Sequence, residues 1–217
     1  MSGLPLQSGK AGGDPSPKTA YGIYCGIEAA AKARLGRDSL EGLRVAVQGV
    51  GHVGYYLCKL LHEAGATLVV SDIDETRVDR VCSEFGADRA GSAQILSADV
   101  DVLAPCALGA ILDEESISGI RARIIAGGAN NQLRSLEDGQ RLADAGILYA
   151  PDYVINAGGI INVACEYFGD VDDEGVTDLV AQIGPRLADI FDEAKLTGEP
   201  TNVVADRRAR KIIAGEA

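Results

Sequence analysis

Apolar positions along the chain fall into two recurring patterns. Short runs at Leu43 to Gln48, Ala66 to Val70 and Val100 to Ala104 have the length and apolar content of buried strands. By contrast, Ile23, Ile27, Ala30, Ala31 and Leu35, and later Val78, Val81, Cys82 and Phe85, recur at helical spacing. Helices are therefore predicted from Asp14 to Leu35 and from Glu75 to Phe85, with Asp or Ser available as a cap and proline tolerated in the first turn. Gly36 and Gly86 stop them. The first of these helices is amphipathic and is expected to lie on a surface. A short strand near 87–90 and a loop or short helix near 93–97 precede the third strand, which Pro105 terminates.

The same alternation continues. DEESISGI reads as a short helix, ARIIAGGANNQL as a strand opening onto a Gly- and Asn-rich loop, SLEDGQRLADAG as a helix, and ILYAPDYVINAGG as a second strand-then-loop unit. Strands alternating with helices predict an α/β fold with a doubly wound, mostly parallel sheet flanked by helices. From Gly158 the chain reads as helical to its end, with breaks: GIINVACEYFG, an acidic link DVDDEG, VTDLVAQIGPRLADIFDEAKLTG, then PTNVVADRRARKIIAG. Ile183, Leu187, Ile190, Phe191 and Ala194 form one apolar stripe, and Arg207, Arg208, Arg210 and Lys211 oppose Val203, Val204, Ile212 and Ile213. The expected organisation is a flexible lead-in at residues 1–13, then one domain at 14–217 with N- and C-terminal helical appendages.

The chemistry concentrates after the first strand. Gly49, Gly51 and Gly54 stand at the spacing G-x-G-x-x-G between a strand and a helix, with Val50, His52 and Val53 between them and Asp72 about 20 residues on. Gly49 permits the turn, Gly51 lets the backbone approach a pyrophosphate, and Gly54 lets helix and strand pack closely. The helix N-terminus offers free amides and a positive dipole end to the phosphates, and Asp72 would accept ribose hydroxyls. This is the pattern of a Rossmann-type, dinucleotide-binding unit. Ligands in such sheets sit outside the carboxyl ends of the strands. That rule adds Cys106 and Ala107, the loop from Gly128 to Asn131, and the segment from Asn156 to Gly159. Their small residues admit a flat ring, and asparagine can both donate to and accept from a carboxamide. SGKAGG near the N-terminus lacks the spacing of a phosphate loop and reads as linker.

Composition narrows the classes. A chain of 217 residues can bury roughly 70% of its unfolded surface without staples. The five cysteines, Cys25, Cys58, Cys82, Cys106 and Cys165, are odd in number and widely spaced, which fits neither a disulfide framework nor a metal site. A net charge of -12 opposes nucleic acid as a partner. No apolar run approaches the roughly 18 residues of a membrane span, and no signal pattern opens the chain, so a cytoplasmic protein is expected.

DPSPKTAYG, LRVAVQGVGHVGYYLCKLLHEAGATLVVSDID, APCALG, IIAGGANNQL, YAPDYVINAGGIINVA and PTNVVADRRA occur in order from about Gly12 to Ala209. Together they resemble the coenzyme-binding half of leucine, valine and phenylalanine dehydrogenases, relatives of glutamate dehydrogenase, and GGIINVA is nearest to the branched-chain members. The resemblance implies oxidative deamination of an L-amino acid to a 2-oxo acid, with hydride passing to NAD in a cleft between two domains. It implies that Gly49, Gly51 and Gly54 hold the pyrophosphate and Asp72 the ribose, favouring NAD over NADP although Arg77 stands nearby. Thr19, Asn131 or its neighbour Asn130, and Asn156 resemble residues near the nicotinamide, and Ile160 and Val163 fall where the family lines the pocket for the substrate side chain. His52 departs from the asparagine common in the family's loop.

The resemblance also implies an absence. The family's catalytic lysines lie in a preceding domain, and none of Lys10, Lys18, Lys32, Lys59, Lys195 or Lys211 lies in such a motif. No catalytic residue is therefore assigned here, and a small L-amino acid is expected as partner only where that domain is supplied. The alternatives are a non-catalytic NAD-responsive regulator, a partner subunit completed by another chain, or a domain binding another nucleotide. Apolar surface left bare on the terminal helices is expected to produce a homo-oligomer, most simply a dimer.

Overall fold

Six strands pair only with parallel neighbours: β1 (Arg44–Gln48), β2 (Thr67–Ser71), β3 (Asp88–Arg89), β4 (Val102–Pro105), β5 (Ile124–Ile125) and β6 (Leu148–Tyr149). Their order in the sheet is β3-β2-β1-β4-β5-β6, so the direction of winding reverses between β1 and β4. These come from a computed structural model that describes residues 13–169 and 171–216. Apart from Gly13, the expected lead-in lies outside the described residues. The fold is Rossmann-type, as expected, and the sheet is wholly parallel.

Side-chain alternation along the strands makes two cores. Val45, Val47, Leu68 and Val70 face one side, and Ala46, Val69, Leu103 and Ile125 face the other, against Ile95, Leu112, Ile117 and Leu142. Each fully buried Val, Leu or Ile contributes about 1.5–3 kcal/mol relative to exposure.

Two predicted helices have nearly the expected bounds: α1 (Ser16–Leu35) ends at Gly36, and α3 (Glu75–Phe85) ends at Gly86, both in the left-handed region. Between them lies α2 (His52–Glu63). Pro105 is the last residue of β4 rather than its stop, because it pairs with Gln48 at the strand's end while the next amide, Cys106 N–H, makes the ladder bond to Gln48 O at 2.7 Å. Further on come α4 (Glu114–Gly119), capped by Asp113, α5 (Glu137–Asp144), the short α6 (Asp152–Ile155) and α7 (Gly158–Phe168).

The last helical stretch divides differently from its apolar pattern. The acidic link supplies Asp172, whose side chain accepts Gly175 N–H and so starts α8 (Asp173–Ala181). A new helix, α9 (Ile183–Thr197), follows after Gln182. Pro185 explains the break: it cannot donate within a continuous helix, but it is accommodated in a first turn. The chain ends in α10 (Thr201–Ala214).

The surface position expected for α1 holds only along a strip at Glu28, Lys32, Ala33 and Arg34. Ile23, Ile27, Ala30 and Ala31 are fully buried, because α1 lies between α2 and the layer of α7, α8 and α9. Gly22 and Gly26 permit this approach: a Cβ on either would come within 2.6 Å of Ile183 or Ile155 side-chain atoms. Its apolar face is therefore covered within the chain. Exposed apolar residues remain at Tyr167 and Phe168 on α7 and Ile212 and Ile213 on α10. None of the described helices is long and apolar enough to cross a membrane.

Arg207 ties α10 to α9, reaching Glu193 and Glu199 at 2.6 Å each. Its hydrogen bonds hold both carboxyls below the usual glutamate value. Depressed folded-state values stabilise the fold above about pH 4.3, the value of free glutamate, and the contribution is lost as pH falls through the lower folded values. Arg207→Gln is expected to lower the thermal unfolding midpoint at neutral pH and to match the wild type near about pH 2. An equal deficit at both pH values by calorimetry would show that the link is not electrostatic.

Candidate functional site

The turn after β1 is built from three glycines with different tasks. Gly49 has φ +91°, a conformation that disfavours any side chain, and its N–H donates to Ser71 O at 2.7 Å. A Cβ on Gly54 would lie 2.0 Å from Gly49 O, so the first turn of α2 sits directly against the loop. Gly51 is the opposite case. A Cβ there meets nothing nearer than Arg77 Nη1 at 3.6 Å, which leaves the backbone open to a ligand.

Gly51 is also the N-cap of α2, and no side chain caps it. The first amides of such a helix have no acceptor within it and carry its positive dipole end outward. Asp72, just beyond β2, locks the loop in place. Its Oδ2 accepts Val50 N–H at 2.8 Å and its Oδ1 accepts Asp74 N–H at 3.0 Å. Each carboxylate oxygen keeps a lone pair for another donor. An open backbone, free amides and an acid at the end of β2 fit a dinucleotide's pyrophosphate and ribose.

The other strand ends meet this loop. Ala107 approaches Gly49 so closely that a Cβ on the glycine would stand 2.7 Å from its own. Burial pushes the Cys106 thiol up to about 11, so it is a neutral packing group at pH 7. Asn156, just beyond α6, donates from Nδ2 into the loop that follows β5, to Asn130 Oδ1 at 2.7 Å and to Gly128 O at 3.3 Å. The structure thus joins Asn156 to Asn130. Asn131, with φ +52°, lines a different surface cleft with Leu133 and Asn202.

The starts of α1 and α7 close this edge. Gly158 packs on Lys18 O, and Gly159 lies beside Thr19, whose hydroxyl donates to Pro15 O at 2.9 Å. Two and five residues into α7 from there, Ile160 is exposed and Val163 half-buried. Asp14 lies 3.9 Å from His52 Nδ1, with its carboxyl lowered chiefly by its hydrogen bond to Ser16.

Several supporting residues escaped the sequence reading. Asp14, Tyr55, Tyr56 and Arg80 line a cleft of about 310 Å³ with Val50, Gly51, His52 and Arg77. Buried Gln132 donates to Gly127 O at 2.7 Å and Ala129 O at 3.0 Å, and Asp152 accepts Gln132 N–H at 3.0 Å. The available signal for Gln132 was its place at the end of the amide run Asn130-Asn131-Gln132 after a buried-length apolar run; nothing in that spacing names its partners.

Residues 14–80 and 71–198 match the Glutamate/Leucine/Phenylalanine/Valine dehydrogenase family. The chain belongs to this family. Leucine dehydrogenase of Thermoactinomyces intermedius is 50% identical over 201 residues, which cover 93% of this chain and 55% of the relative. L-tryptophan dehydrogenase of Nostoc punctiforme is 48% identical over 207 residues, 95% of this chain and 58% of the relative. A crystal structure of L-tryptophan dehydrogenase from Nostoc punctiforme superposes with a TM-score of 0.89 at 46% identity, covering 94% of this chain and 60% of that one. The chain thus spans 55% to 60% of the length of these amino-acid dehydrogenases. Lysines of this family member are engaged away from the cleft: Lys18 with Asp173 at 3.0 Å, Lys32 with Asp38 at 2.9 Å, and Lys59 facing Glu63 at 3.9 Å.

Proposed function

We propose that residues 14–217 form the NAD-binding domain of an amino-acid dehydrogenase that deaminates a branched-chain L-amino acid. The carrying observation is the cradle in which Gly49 and Gly54 pack together, Gly51 stays open, and Asp72 fastens the loop to β2. In this reading Gly49, Val50, Gly51, His52, Val53 and Gly54 present backbone and dipole to the pyrophosphate, and Asp72 accepts from the ribose hydroxyls. Thr19, Cys106, Ala107, Asn130 and Asn156 shape the opposite end, where Asn130 and Asn156 supply carboxamide partners, while Asn131 faces the neighbouring cleft. Ile160 and Val163 offer an apolar wall to an aliphatic substrate side chain. NAD, when bound, supplies the hydride acceptor.

Deamination also needs an amine of lowered pKa to polarise a carbonyl and move protons at neutral pH. Among the described residues no lysine lines the cleft by the glycine loop. The reaction is therefore assigned to the assembly of this domain with a lysine-bearing one. Titrating NADH fluorescence with the purified chain is expected to give saturable binding, without turnover of L-leucine and NAD. Absence of NADH binding would remove the cofactor assignment, and steady turnover would remove the requirement for a second domain.

A further inference from the structure

Arg77 stands in the first turn of α3, where the helix dipole disfavours a cation. Its Nε lies 3.3 Å from Asp74 Oδ2, and Asp74 is itself held by accepting Thr76 N–H at 3.0 Å. That contact occupies one edge of the guanidinium and leaves the Nη groups free to bind a second anion. Nη1 lies 3.6 Å from the point where a Cβ would stand on Gly51. This is the space that the middle glycine of the motif keeps clear so that a pyrophosphate can reach the backbone. Arg80 lines the same cleft, but Glu84 binds its Nε at 2.9 Å and its guanidinium stacks 3.9 Å from the Tyr55 ring centroid. Arg77 is thus the cation nearest the open backbone.

We infer that Arg77 binds the dinucleotide's pyrophosphate across the mouth of the glycine loop, adding a side-chain clamp to the backbone amides. Asp74 acts as its positioning residue. The inference rests on the reading of this cleft as a dinucleotide site. A ribose 2'-phosphate is the other anion within reach of α3, but the Asp72 carboxylate that anchors Val50 makes the ribose end negative. The pyrophosphate is therefore the better match.

Calorimetric titration of the 217-residue chain, Arg77→Ala and Arg77→Lys with NADH, ADP-ribose, NADPH and adenosine tests it. Arg77→Ala is expected to weaken NADH and ADP-ribose about tenfold, in the range of one charge-assisted hydrogen bond, and to leave adenosine unchanged. The dependence of affinity on salt becomes shallower by about one ionic contact. Arg77→Lys recovers part of the loss through charge without the planar fork, and both variants keep the wild-type unfolding midpoint. Wild-type affinities in Arg77→Ala would overturn the inference. So would a loss confined to NADPH, which assigns Arg77 to a 2'-phosphate, or an equal loss for adenosine, which indicates distortion of the cleft. Failure of the wild-type chain to bind NADH or ADP-ribose would instead overturn the dinucleotide reading itself.

Discussion

Gly54→Ala is expected to abolish NADH binding at concentrations that saturate the wild type and to destabilise the chain by about 3 kcal/mol, lowering the unfolding midpoint by roughly 6–12 °C. The added Cβ would stand 2.0 Å from Gly49 O, and neither partner is a flexible side chain that can swing away. Relief requires moving α2 off β1 or unwinding the turn at Gly49. Either route displaces the amides that open α2. Gly51→Ala provides the contrast: its Cβ meets nothing closer than 3.6 Å, so the unfolding midpoint should stay near that of the wild type while NADH binding is lost to steric exclusion. Together the pair separates what the glycines do for packing from what they do for a ligand. NADH binding by Gly54→Ala at wild-type affinity would refute the cradle.

Removing the acid at the end of β2 is expected to have the next largest effect. Asp72→Ala leaves Val50 N–H and Asp74 N–H without their acceptors at 2.8 and 3.0 Å, freeing both the loop and the entry to α3. Hydrogen bonds to a charged group contribute about 1.5–3 kcal/mol, so NADH affinity should fall at least about tenfold. The ratio of NADPH to NADH affinity should rise at the same time, because the negative charge that repels a 2'-phosphate is gone. Asp72→Asn keeps the side chain's shape and should show the rise in ratio with a smaller loss of NADH affinity. An unchanged ratio in both variants, measured by fluorescence titration, would dissociate Asp72 from the ribose.

The glycine spacing and the acid beyond the second strand were legible because their chemistry is local: a few consecutive residues make the turn, and a short helix returns the chain to the neighbouring strand. The pairing of Asn156 with Asn130 was only half legible. Both asparagines stood at strand ends in the sequence, but the choice between Asn130 and Asn131 depends on a loop that buried Gln132 holds from within. Asp14 approaches His52 and Arg77 approaches Gly51 from elements apart along the chain, and no periodicity records such meetings.

Strand-helix alternation, the stops at Gly36 and Gly86 and the glycine motif were determined by the sequence alone, since each follows from backbone preference or from side-chain spacing within one element. The place of α1 was decided only in three dimensions. Its amphipathic pattern is compatible with a solvated face, yet Gly22 and Gly26 admit Ile155, Ile183 and Leu187 from later helices, and burial of apolar surface against them outweighs exposure to water. The division between α8 and α9, by contrast, follows from Pro185, which removes the donor that a single helix would use; that signal lay in the sequence, although the stretch from Val176 to Gly198 reads there as one helical segment.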